Sequence, residues 1–90
     1  MPKYKSHKIV WALKIKSIEL DKDKAAAENR DTDGSATIVP DEDGYAPFRV
    51  GREYVRKHHP KAGGYYVMYD DGYESWSPAE AFENGYSRID

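Results

Sequence analysis

Residues 63–86 constrain this chain more than any other stretch. Gly63-Gly64-Tyr65-Tyr66-Val67-Met68-Tyr69-Asp70-Asp71-Gly72-Tyr73-Glu74-Ser75-Trp76-Ser77-Pro78-Ala79-Glu80-Ala81-Phe82-Glu83-Asn84-Gly85-Tyr86 reads as a hairpin, a helix start and a helix stop without a gap. Asp71-Gly72 supplies the backbone angles of a tight turn, and its aromatic and branched flanks suit pleated strands. A two-residue turn sets Val67 opposite Trp76 and Tyr69 opposite Glu74, with Tyr65, Val67 and Trp76 on one face. A three-residue Asp70-Asp71-Gly72 loop shifts every pair by one, so both registers stay open at this point. Ser77-Pro78-Ala79-Glu80 has the spacing of a capping box, with Pro78 at the first helical position. Gly85 is placed to end the helix in a left-handed conformation and let Tyr86 fold back over Phe82.

The N-terminal third alternates. Ile9, Trp11, Leu13 and Ile15 fall on one face at period two, with Lys8, Lys14 and Lys16 on the other, which predicts a strand over His7 to Leu20. Ile18 and Leu20 have the opposite parity, and a bulge near Lys16-Ser17 restores an inward apolar face. Residues 21–34 offer no large apolar side chain, so they read as a polar loop in which Ala25-Ala26-Ala27-Glu28 forms at most one exposed helical turn. Ser35 to Val39 is a short strand ended by Pro40, followed by the acidic turn Asp41-Glu42-Asp43-Gly44. Pro47 puts Phe48 to Val50 at a sheet edge or outside the ladder. Gly51 to His59 is a short helix with Tyr54, Val55 and His58 on one side, closed by Pro60. The expectation is one small α+β domain over residues 1–90: an antiparallel sheet with a C-terminal hairpin and one or two short helices.

With 39% hydrophobic and 33% charged residues among 90, the chain is long enough for one modest core. It has no cysteine, which excludes disulfides and thiolate metal sites. No segment is apolar for long enough to span a bilayer. The net charge of −2 hides alternating blocks: residues 1–30 and 51–64 are net basic, and 31–50 and 65–90 net acidic. Two basic segments could converge on an anion, but the acidic aromatic hairpin would repel a phosphate backbone, so no nucleic-acid partner is expected.

Motifs for chemistry are absent. Asn29-Arg30-Asp31-Thr32-Asp33-Gly34 opens like a calcium loop but has Pro40 where a bidentate glutamate is needed. His58-His59 lacks further ligands and suits the C-terminal end of a surface helix. No serine sits in a nucleophile elbow, and Gly63-Gly64 precedes a strand rather than opening a phosphate-binding helix. No catalytic residue, metal or cofactor is expected. Eight tyrosines, two tryptophans and two phenylalanines form a surplus for so small a core. Some of Tyr45, Tyr66, Tyr69 and Tyr73 are therefore expected in an exposed patch or pocket wall. The candidate binding residues are Tyr66, Tyr69, Tyr73, Arg49, Arg52 and Arg56.

The string from Gly64 to Pro78, followed by Phe82 and Gly85-Tyr86, resembles a group of small uncharacterised proteins of tailed bacteriophages and prophages. A looser echo covers Lys5 to Ala12 and Tyr54 to Pro60. Similar segments occur joined to modules that resemble phage proteins sequestering nucleotide signals of host immunity. The resemblance implies a non-enzymatic accessory protein of the host cytoplasm that binds a host factor, in a counter-defence role. Its alternatives are a module binding a small anionic, nucleotide-like ligand and a minor phage structural or assembly protein. A homo-oligomer fits any of these.

Overall fold

The computed structural model describes residues 1–89. In chain order the elements are β1 (Lys3–Lys5), β2 (Ile9–Leu20), α1 (Asp21–Ala27), β3 (Ala36–Pro40), β4 (Phe48–Val50), α2 (Arg52–His58), β5 (Tyr65–Tyr69), β6 (Glu74–Ser77), α3 (Ala79–Gly85) and β7 (Ser87–Arg88). All strand pairings are antiparallel, giving the α+β architecture that the sequence predicts.

β2 is the spine. Its first half pairs with β1 on one edge and β5 on the other, and its second half pairs with β3. The register shifts between Ile15 and Ser17, where the parity change of the sequence requires a bulge. The expected single inward face is corrected. Val10 and Ala12 are buried on one side and Leu13 and Ile15 on the other, whereas Ile9 is exposed. A strand covered on both faces loses simple alternation, because neither face needs polar residues.

Two apolar clusters result. One gathers Ile15, Ala36, Ile38, Val50, Tyr54 and Tyr66, and α2 closes it. The other gathers Val10, Ala12, Tyr65, Val67 and Phe82 under α3. Phe82 stacks on Tyr65 and Tyr86 with centroids 4.3 and 4.7 Å apart, and Tyr4 meets it edge-on at 4.8 Å.

The hairpin takes the longer loop. Tyr66 pairs with Trp76, Val67 with Ser75 and Met68 with Glu74. The Tyr69 amide donates to the Tyr73 carbonyl, and Gly72 has φ 88°. This is a turn followed by a left-handed glycine, the three-residue connection. Val67 and Trp76 therefore lie on opposite faces, and the pairing of the two-residue turn does not occur. Trp76 instead covers Gly64: a Cβ on Gly64 would sit 2.5 Å from the indole ring.

Two further expectations are corrected. The capping box does not form: Pro78 is the N-cap, no side chain caps α3, and the Ser77 hydroxyl donates to the Pro78 carbonyl at 3.2 Å. Ser77 is still the last residue of β6, so its backbone serves the ladder and its hydroxyl does not reach the helix amides. Gly85 is the last helical residue without positive φ, and the chain leaves through an extended Tyr86.

The stretch 21–34, expected as a polar loop, begins with α1 and buries Ala25. What orders it is polar. The Asp21 carboxylate accepts from the Arg30 guanidinium at 2.9 and 3.2 Å, from the Thr32 hydroxyl at 3.0 Å and from the Asp33 amide at 3.3 Å. These donors, the Arg30 side chain first, hold Asp21 well below the usual carboxylate range.

Candidate functional site

α2 is a seven-residue ridge with a cleft on each flank, and the two clefts have different chemistry. It starts at Gly51 without a side-chain cap and stops at His59, which has a left-handed backbone (φ 46°, ψ 56°). Pro60 next to it prevents the helix from continuing. Tyr54 is the buried anchor: its hydroxyl donates to the Ser75 carbonyl at 2.7 Å, so the hairpin fixes the helix.

The first cleft, about 670 Å³, lies between α2 and the hairpin tip and is walled by Tyr54, Lys57, His58, Tyr73 and Glu74. Tyr73 is exposed and stacks on Tyr69 with ring centroids 5.9 Å apart. The Lys57 ammonium lies 5.0 Å from the Tyr73 ring centre, and His58 Nε2 is 3.4 Å from the Tyr73 hydroxyl. Partial burial, followed by the charge of Lys57, pulls the His58 imidazole below its ordinary value, and Glu74 opposes this. The Tyr66 hydroxyl donates to Glu74. Burial, with that hydrogen bond second, pushes the Tyr66 phenol well above the usual tyrosine range.

The second cleft, about 450 Å³, lies on the other flank, against the end of β2 and against Thr32, Gly34 and Ser35. Leu20, Val55 and Pro60 line it together with Lys22, Arg52, Arg56, His59 and Lys61, and no carboxylate does.

The six residues singled out from sequence separate accordingly. Tyr69 and Tyr73 form an aromatic pair at the hairpin tip. Tyr66 does not belong to an exposed patch: it is 3% exposed and packs in the core against Phe48 and Tyr54. Arg49 is engaged, donating to Asp33 at 2.8 Å and to the Ser35 hydroxyl at 2.6 Å, and so holds the loop before β3. Arg52 and Arg56 both line the second cleft, and Arg56 also borders the first. Sequence reasoning missed Lys22, His59 and Lys61. His59-Pro60 was a signal for His59 alone, since the residue before a proline is disfavoured in helical geometry and the helix tends to end there.

Among the described residues there is no group of three or more His, Asp or Glu able to hold a metal, and no helix is long and apolar enough to cross a membrane. His58 and His59 line different clefts and do not converge. What the ridge offers is an aromatic wall on one flank and a cationic, apolar-floored hollow on the other.

Comparison with solved structures returns a similar fold with a TM-score of 0.67, over 96% of this chain and at 30% sequence identity. The match is a phage decoration protein. It is the monomeric form of the phage L decoration protein, determined in solution by NMR. The chain spans 57% of that protein's length. No family model matches the sequence, and no curated relative does. The similarity is consistent with a phage protein, the origin that the hairpin motif resembles.

Proposed function

We propose that this chain is a non-enzymatic structural module of a phage particle, one that attaches to the surface of an assembled head as a decoration protein does. The observation that carries the reading is the similarity to the phage L decoration protein, which runs through 96% of this chain at 30% identity. The site agrees with it. Two open clefts flank a short helix anchored by Tyr54, a form suited to docking on a protein surface and not to enclosing a substrate. The host-factor and counter-defence role implied by the sequence resemblance gains no support from the similarity, and the structural or assembly alternative is the one adopted.

The test is fractionation of virions from cells that carry the gene. The chain should travel with intact heads through a density gradient and be digested on them by added protease while the shell protein stays protected. A chain that remains entirely in the soluble fraction, with heads of normal composition, would overturn the reading.

A further inference from the structure

The second cleft carries an inference beyond attachment as such. Of the five arginines, Arg30, Arg49 and Arg88 are spent in ion pairs with carboxylates of the chain. Arg52 and Arg56 make none among the described residues, nor do Lys22 and Lys61, and all four line one hollow that no carboxylate borders. In a chain of net charge −2 that collection of unpaired cations is a local excess, and an anion relieves their mutual repulsion. Arg52 is also held in place: the Gly34 backbone, at φ 77°, lies so close that a Cβ there would come 2.7 Å from the Arg52 stem. His59 at the rim keeps a left-handed backbone that only a few residue types tolerate.

We propose that this cleft grips an acidic peptide segment of the partner surface. Arg52 and Arg56 are one turn apart, about 6 Å along the helix, and alternate residues of an extended peptide are about 6.5 Å apart, so an acidic-x-acidic segment offers each guanidinium a carboxylate. The floor of Leu20, Val55 and Pro60 decides against a bare anion, because phosphate would leave that apolar surface wet, whereas an aliphatic side chain beside the carboxylates covers it. A nucleotide base would want an aromatic face, and the tyrosines lie in the other cleft. The proposal rests on the decoration reading in taking the segment to belong to a protein of the particle surface.

The experiment is selection of random 12-residue peptides displayed on yeast against the purified chain, with Arg52→Gln/Arg56→Gln as the parallel target. Both targets are checked for a native amide NMR spectrum, and Lys61→Gln stands in if the double variant does not fold. Enriched peptides should carry two acidic residues near an aliphatic one and shift amides of residues 20–22, 32–35 and 52–61. They should lose at least tenfold in affinity against the variant. Enrichment without acidic residues, shifts confined to the hairpin tip, equal binding to the variant, no enrichment, or binding of inorganic pyrophosphate alone would each overturn the proposal. Virion fractionation separates the two readings. Heads that retain the Arg52/Arg56 variant as well as the wild type leave decoration standing and remove the cleft. Acidic peptides seated in the cleft of a chain that never joins heads do the reverse.

Discussion

The contact of Trp76 with Gly64 shows how much one hydrogen atom can decide. Gly64 does not need glycine for its backbone angles; it needs it because the indole occupies the space of a side chain. Gly64→Ala should therefore lower stability by about 1–3 kcal/mol in thermal or urea denaturation, as overpacking does. Ser77→Ala is the contrasting case. Its hydroxyl meets only the Pro78 carbonyl, so the change should stay within about 0.5 kcal/mol, where loss of a working cap would cost about 1. His58 supplies a residue-level test of the first cleft. Its imidazole should titrate by NMR with a midpoint below the ordinary 6.5, moving further down in Glu74→Gln and back up in Lys57→Ala. A midpoint at or above 6.5 would mean that the ring does not sit between α2 and the hairpin tip.

At the scale of elements, the polar stretch 21–34 is the instructive failure of sequence reading. Apolar periodicity made the strands, α2 and the hairpin legible. It had nothing to report where order comes from one carboxylate gathering donors that lie up to 12 residues away. The register of the hairpin was legible only as a pair of options, since Asp70-Asp71-Gly72 supports either turn until Trp76 finds Gly64. Of the residues singled out, Arg52 and Arg56 line a cleft and Tyr69 and Tyr73 pair at the hairpin tip. Tyr66 and Arg49 could not be excluded, because their partners Glu74 and Asp33 are remote in sequence. The network makes a prediction of its own. Asp21→Asn should speed amide exchange across residues 28–35 while β2 and β3 keep their protection. Because the folded-state pKa of Asp21 is depressed, its contribution is present above the ordinary carboxylate value of 3.8 and is lost as pH falls below that value. Unchanged exchange in the variant would show that α1 alone orders the segment.

On the scale of the whole molecule, β2 belongs to both clusters, and neither half of the structure owns it. Phe82→Ala removes the largest fully buried side chain and should cost about 3–5 kcal/mol. That is most of what a domain of this size has, so NMR signals of Ile38 in the distant cluster should collapse together with those of Val10 beside the mutation. Native Ile38 signals in an otherwise melted protein would mean that the halves are independent. The same sharing bears on how the chain reaches its fold. Val10 must meet Tyr69 and Ile15 must meet Pro40, so the spine cannot be completed until segments distant in sequence have been brought back to it. Closing loops of that length comes at an entropic cost before any contact rewards it, and the one local hairpin at β2, with β1, pairs only Ile9 to Trp11. Refolding from urea should accordingly run as one exponential phase in milliseconds to seconds rather than microseconds, followed alike by tryptophan fluorescence and far-ultraviolet circular dichroism.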